Sequence, residues 1–330
     1  MMMIPNGFAR ISRVAVGLVF SFAFSFAPAQ DYPSRSITLV VGYAPGGSVD
    51  LIARLTGSEF TSRLGQTVVI ENIGGASGTL GAAKVVAARP DGYTLLLGSG
   101  SEISIAKLIT PNITYDGERD LSPISLVGTA PLVLVGGPRL KAVTIDELLA
   151  TARARPGQLT YGSVGIGSPL HFAGELIKIR GGVDITHVPY KGGTPALNDL
   201  LGGQIDLAVP VLSTALPHIN SSKLKAFGVT EANRSPVAPN IPALAENKSL
   251  AGVDIGVWYG LFAPAKTPAA IVQRLHAELS VALKQPKIIA MMDQQGIAIV
   301  GSSPGEFQTF IRTDTEKCRM IAQSAGIRAE

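Results

Sequence analysis

Ser48, Ser77, Ser99, Ser163 and Ser168 each sit in a glycine-rich turn that follows a short apolar stretch. Hydroxyls and free backbone N–H groups in such turns are donors, and donors without a nearby base do not make a nucleophile; they hold an anion. The sharpest case is Gly42 to Asp50, reading G-Y-A-P-G-G-S-V-D, after the apolar run Ile37 to Val41. Pro45, Gly46 and Gly47 break the strand and let the backbone turn tightly. Ser48 and Asp50 suit the first turn of a helix, by capping and by charge. A strand, a tight turn and a helix start present unpaired N–H groups and the positive end of a helix dipole to an anion. Taken alone, the same stretch also fits an ordinary strand-to-helix turn that binds nothing.

The elements that must position these turns follow from periodicity. Val49, Ile52, Ala53, Phe60 and Leu64 share one face of a helix over Val49 to Leu64. Val68 to Glu71 reads as a second strand, running into N-I-G-G-A-S-G-T-L-G-A-A, and Tyr93 to Leu97 as a third, ending in G-S-G-S. In an open parallel sheet, ligands sit at the carboxyl ends of strands, so three such endings are more specific than one. Apolar strands at Ile124 to Val127 and Leu132 to Val135 flank Thr129-Ala130-Pro131, a crossing into a second domain. There Leu159 to Ser163 leads to G-S-V-G-I-G-S-P-L-H, with Ser168 and Pro169 opening a helix. Val183 to Val188 leads to P-Y-K-G-G, Ile205 to Val211 and Leu224 to Val229 read as further strands, and V-W-Y-G-L-F at Val257 to Phe262 returns to the first domain. Ile271, Leu275, Leu279 and Leu283, spaced by four, begin a helical tail.

Composition bounds the rest. The chain has 330 residues, 46% hydrophobic and 16% charged, enough for two domains with a sizeable core. Arg10 and Arg13, the uncharged run Val14 to Ala27 and Ala27-Pro28-Ala29 predict a cleaved signal peptide over residues 1–29. That run is too short to span a membrane. Losing Arg10 and Arg13 lowers the formal charge from +4 to +2, which excludes a nucleic-acid footprint. Cys318 is the single cysteine and shares a helical face with Phe307, Ile311 and Ile321, so it reads as a buried structural thiol. His218 and His276 have no metal-ligand spacing, and no metal or cofactor is expected. Tyr161-Gly162-Ser163-Val164-Gly165 approaches a nucleophile elbow but lacks its first glycine, and no dinucleotide or phosphate-loop spacing is present.

Several longer blocks carry a resemblance. A-P-G-G-S-V-D, G-A-S-G-T-L-G-A, P-D-G-Y-T-L-L-L-G-S, Y-G-S-V-G-I-G-S-P-L-H, H-V-P-Y-K-G-G-T-P-A-L, L-L-G-G-Q-I-D-L and W-Y-G-L-F-A-P-A-K-T-P occur in this order between Tyr32 and Ile327. They resemble the substrate-binding receptors of tripartite tricarboxylate transporters, the Bug receptors. The resemblance implies an α/β, two-domain periplasmic-binding-protein (Venus flytrap) fold. Residues 30–128 with 254–330 would form one domain and 129–253 the other, joined by two hinge crossings around a ligand cleft. It implies a monomeric periplasmic receptor that traps a small carboxylate and delivers it to integral-membrane transporter subunits. A phosphate-type oxyanion receptor and a ligand sensor without transport are the alternatives, and an enzyme is not expected.

The candidate ligand contacts on the first rim are Tyr43, Gly46, Gly47, Ser48, Ala76, Ser77 and Ser99. Those on the second are Ser163, Gly167, Ser168, His171, Lys191 and Val211. His187 reads as core, Asp50 as a brace for its helix start, and Trp258 and Tyr259 as core at the domain junction. The chain departs from the family pattern at Ile73-Gly74, at Ser104 and Ile105, and at Pro210-Val211. Apolar residues there disfavour an amino-acid ligand, whose ammonium group needs a carboxylate in reach.

Overall fold

The computed structural model describes residues 32–328, so the signal-peptide reading of residues 1–29 lies outside the described residues. The chain begins with β1 (Ile37–Val41), α1 (Ser48–Leu64), β2 (Val68–Asn72), a single turn over Ala76–Gly78, α2 (Thr79–Val86) and β3 (Thr94–Ser99). A π-turn at Ser101–Ile105 then runs into α3 (Ala106–Ile109), followed by α4 (Gly117–Asp120) and β4 (Leu121–Ala130). A second set follows: β5 (Val133–Gly136), α5 (Ile145–Ala154), β6 (Thr160–Ser163), α6 (Pro169–Gly181) and β7 (Thr186–Pro189). It continues with α7 (Gly193–Leu201), β8 (Leu207–Ala208), α8 (Leu212–Asn220) and β9 (Lys225–Val229). The chain ends with β10 (Val257–Pro264), α9 (Ala269–Ala282), α10 (Pro286–Gln294), β11 (Ala298–Ile299) and α11 (Pro304–Ala325).

These strands make two sheets and a two-domain α/β fold. The first sheet has the order β11-β4-β10-β3-β1-β2, and the second β7-β6-β8-β5-β9. β1 is parallel to β2 and β3, and β6 is parallel to β7 and β8. The carboxyl ends of three neighbouring strands therefore open on one edge of each sheet. β10 lies antiparallel between β3 and β4, although it comes from far along the chain. β4 stays in the first sheet to Ala130 and β5 enters the second at Val133, so the chain crosses within two residues.

Central strands are apolar because both of their faces are covered. Ile37, Leu39, Val40 and Val41 of β1 are all fully buried beneath α1 on one side and α2 on the other. α1 turns inward the stripe that periodicity predicts, Val49, Ile52, Ala53, Phe60 and Leu64. Phe307, Ile311, Cys318 and Ile321 are buried along α11, and Trp258 and Tyr259 are buried in β10. The Trp258 indole donates to Asp314 Oδ2 at 2.8 Å, which ties β10 to α11. No described helix is long and apolar enough to cross a membrane.

Three sequence expectations change. The strand read over Ile205 to Val211 keeps only Leu207–Ala208, because Pro210 has no N–H for a ladder and Val211 already starts the turn into α8. The strand read from Val183 begins at Thr186, because Gly182 ends α6 in the left-handed conformation and the Val183 N–H bonds back to Lys178 O. G-S-G-S at 98–101 is not an open turn; Gly98 and Ser99 finish β3, and the chain passes straight into the π-turn and α3.

Candidate functional site

On the first rim, the β1 turn is held from beneath by Asp50. This carboxylate accepts from Gly46 N at 2.9 Å, from Arg54 Nε and Nη2 at 2.9 and 3.0 Å, and from Asn72 Nδ2 at 2.9 Å. Burial pushes its pKa up, but these hydrogen bonds outweigh burial and hold it at about 2. Asp50 thus braces the turn and links it to the end of β2. Ser48 does not cap α1. Gly47 is the N-cap and supplies no side-chain acceptor, so Ser48 is the first helical residue and the first-turn amides have no side-chain partner. Gly46 and Gly47 are exposed at the tip.

The second turn of this rim is strained. Gly75, Ala76, Ser77 and Gly78 have φ of 135°, 46°, 53° and 90°. Left-handed Ala and Ser cost on the order of 1–3 kcal/mol each, and such strain persists only where the surroundings impose it. Ala76 and Ser77 are exposed, at the surface of the rim.

The group that imposes order on all three turns is one the sequence reading passed over, Glu102. Its Oε2 lies 2.6 Å from the Tyr43 hydroxyl and 2.8 Å from Ser99 Oγ, and its Oε1 accepts from Ser99 N at 2.7 Å. The Tyr43 hydroxyl also reaches Ser77 O at 3.3 Å. Gly78 is close enough that a Cβ there would lie 2.9 Å from the Glu102 carboxyl carbon. Tyr43 and Ser99 therefore spend their hydroxyls on Glu102. The one signal available beforehand was an acid inside S-E-I-S-I, among residues of a buried apolar run.

On the second rim the hydroxyls are also engaged. Ser163 is buried, and its Oγ lies 2.7 Å from His187 Nε2 and accepts from Gly165 N at 3.2 Å. His187 is half-buried rather than core. Its ring stacks on His171 with centroids 4.1 Å apart, and Tyr161 lies 4.9 Å away on the same ring. The expectation of an apolar environment failed because β7 is an edge strand, paired only with β6. Burial pushes both imidazoles down to about 4, helped for His187 by the neighbouring His171. Burial thus keeps His171 neutral, and its Nδ1 accepts from Gly167 N at 3.3 Å. A Ser–His pair invites comparison with a hydrolase, but this serine is buried and no described hydrogen bond brings a carboxylate to the histidine. The pair ties β6 to β7.

Ser168 is the N-cap of α6. It accepts from His171 N at 3.2 Å and donates to Gly165 O at 2.8 Å, and it is buried. A bulky residue here would disturb the helix start as well as any ligand contact, so Ser168→Ala is the cleaner probe. It should lower stability by about 1 kcal/mol through loss of the cap, read from urea midpoints; no loss would mean that the cap is dispensable. Gly167 has φ of 79°, and a Cβ there would meet Ile109 Cδ1 at 2.6 Å, so this turn packs directly on α3. Ser213 of α8 likewise abuts Gly296. Lys191 is exposed, and Val211, half-buried, is the N-cap of α8. The turns after β6 and β8 therefore approach α3 and the end of α10, while those after β1, β2 and β3 meet at Glu102. Of the departures noted above, Ser104 and Ile105 are buried, and Ile105 lies beside the Gly167 turn.

Residues 52–327 match the tripartite tricarboxylate transporter family receptor. Protein BugT of Bordetella pertussis is 34% identical over 316 residues, covering 95% of this chain and 97% of BugT. An R. palustris protein solved with adipate superposes with a TM-score of 0.79 at 32% identity, over 90% of this chain and 99% of that one. MatC from Rhodopseudomonas palustris, solved with bound malate, superposes with a TM-score of 0.77 at 31% identity, over 88% and 99%. With a match across most of its length and relatives above 30% identity, the chain belongs to the tripartite tricarboxylate transporter receptor family.

Proposed function

We propose that this protein is a periplasmic receptor that captures a small carboxylate between its two lobes and hands it to integral-membrane transporter subunits. The observation that carries the reading is the set of open helix starts at the strand ends. α1, α2, α7 and α8 begin at Gly47, Gly78, Gly192 and Val211, none of which supplies a side-chain cap. Of the other helices, α5, α6 and α11 are capped by Thr144, Ser168 and Ser303, and α9 and α10, away from these turns, also start without a side-chain cap. An uncapped helix start favours an anion by roughly 0.3–1 kcal/mol, and by up to about 2 when partly buried. Several aimed at one carboxylate hold it without an arginine clamp.

In this reading residues 30–128 with 254–330 form one lobe and 129–253 the other, and the crossing after Ala130 and the return near Ile255 act as hinges. Exposed Ala76, Ser77, Gly46, Gly47 and Lys191, with Ser48 and Val211, meet the ligand first. Tyr43, Ser99, Ser163, Gly167, Ser168 and His171 shape the surface behind them. Closure is driven by contacts that form only when both rims reach the ligand. Carboxylates in two relatives, adipate and malate, agree with this class. Pro210-Val211 at the second rim supplies no acid for an ammonium group, which favours an aliphatic or aromatic acid over an amino acid.

A thermal-shift screen of the chain from Gln30 tests this. Mono-, di- and tricarboxylates, aromatic acids, amino acids and phosphate form the panel. An acid at 100 times its dissociation constant should stabilise the protein by about 2.7 kcal/mol. A response to amino acids alone would remove the inference from Pro210 and Val211, and a response to phosphate alone would replace the ligand class.

A further inference from the structure

Glu102 is held in a ring of three oxygens. Its Oε2 lies 2.6 Å from the Tyr43 hydroxyl and 2.8 Å from Ser99 Oγ, and those two hydroxyls lie 2.9 Å from each other. Oε1 is served separately by Ser99 N. Each O···O contact is a hydrogen bond only with a proton between its two oxygens. With an ionised Glu102, Tyr43 and Ser99 supply two protons for three contacts, and one contact sets lone pairs against each other. With a protonated Glu102, three protons serve three contacts. The ring is complete only with the third proton.

The surroundings offer no cation to hold a charged Glu102. The residue is 1% exposed. Tyr43 and Tyr115 are the titratable groups in contact with it; burial raises both phenols, so they stay neutral. On α2, Lys84 is paired with Glu71. On α4, Glu118 pairs with Arg312 of α11 and Arg119 with Asp120. Elsewhere on α11, Asp314 accepts from Trp258, Lys317 reaches Asp254 and Arg319 pairs with Glu316. Lys107 on α3 is exposed to solvent. Burial pushes the Glu102 carboxyl up to about 7, against the hydrogen bonds from Tyr43 and Ser99 that draw it down.

We propose that Glu102 gates the anion site by its proton: the receptor holds an anionic ligand with Glu102 as a neutral acid and releases it when Glu102 ionises. This rests on the carboxylate-receptor reading for where the ligand sits. Glu102 touches all three turns of the first rim, through Tyr43, Gly78 and Ser99. A charge there places a buried negative group directly behind the ligand carboxylate and breaks the ring that orders Tyr43 and the strained Ala76-Ser77 turn. Glu102 acts through these residues and is a positioning residue. If only the protonated receptor binds, apparent affinity scales with the protonated fraction, so it falls by roughly tenfold per pH unit above about pH 7.

The experiment is calorimetric titration of the full mature chain and its Glu102→Gln variant with adipate and with malate, between about pH 6 and about pH 8.5. Wild type should weaken steeply above neutrality, and Glu102→Gln, with a neutral donor in the same place, should bind with an affinity that does not change with pH. A flat wild-type profile, or the same slope in both proteins, would overturn the proposal. Difference infrared spectra of the unliganded proteins read the proton directly. A protonated-carboxyl band present in wild type at the acid end, lost at the alkaline end and missing from Glu102→Gln supports the assignment even if neither acid binds, in which case the ligand class alone falls. Absence of that band overturns the proposal whether or not ligands bind.

Discussion

Gly260→Ala should lower the melting midpoint by roughly 6–12 °C, the equivalent of about 3 kcal/mol in a domain of this size. Gly260 lies in β10, opposite Gly98 of β3 and Leu126 of β4. A Cβ there would fall 2.1 Å from Phe307 Cζ and 2.5 Å from Cε1. Phe307 cannot retreat. It is fully buried, meets Trp258 edge-on at 5.7 Å and Phe262 at 5.0 Å, and sits in the first turn of α11, which a reciprocal Ser303–Glu306 cap fixes in place. The double variant Gly260→Ala with Phe307→Leu should recover part of the loss, because the smaller side chain vacates the contested volume. Calorimetric midpoints for the three proteins decide the matter; a single variant within about 2 °C of wild type would mean that α11 can slide away from the sheet.

Acidification below pH 6.5 should remove stability through the stacked histidines. His171 and His187 fall from 6.5 to about 4 in the folded protein. Between those values the unfolded chain binds protons that the folded chain does not, so stability declines as pH falls through the window and is intact above it. His171 is worth on the order of 3 kcal/mol, and the half-buried His187 less, because solvent screens it. Glu102 works in the opposite sense. Its folded value of about 7 lies above the ordinary 4.5, so the folded protein holds an extra proton there and loses stability as pH rises from 4.5 to 7. The two effects partly cancel in wild type. Urea midpoints at a series of pH values should therefore show a steeper acid decline in Glu102→Gln than in wild type, and a shallower one in His187→Gln. Parallel curves for all three proteins would contradict these assignments.

The architecture was legible because local rules and tertiary demands agree. Ile37 to Val41 has both faces buried and no charge, and α1 carries an apolar stripe of the right period, so neither needed tertiary information to be recognised. The site was legible in outline only. Glycine-serine turns marked where strands end, but not where each hydroxyl points. Whether Ser99 faces a ligand or Glu102 depends on the chain after β3 coiling at once into a π-turn, which no local pattern announces. The partnership of Ser163 and His187 depends on a parallel register that pairs Tyr161 with His187, set by sheet assembly rather than by spacing along the chain. Ser48 has the right chemistry for a cap and lies one residue too late to be one, which a sequence pattern accurate to a residue or two does not distinguish.

The position of β10 has a consequence for the order in which the protein can take shape. Strands β3 and β4 are separated by β10, which arrives from residues 257–264. Until that segment is available, both strands present open apolar edges, the situation that invites pairing with other chains. The second sheet is complete by Val229 and has no such debt to the carboxyl-terminal part. Assembly should thus begin in the middle of the sequence, with the first lobe kept from closing until most of the polypeptide is present. Contacts that span so much chain are slow to form. A chain built this way stays unfolded in its first lobe for longer, the condition in which a polypeptide can still be threaded through a narrow channel or held by a chaperone.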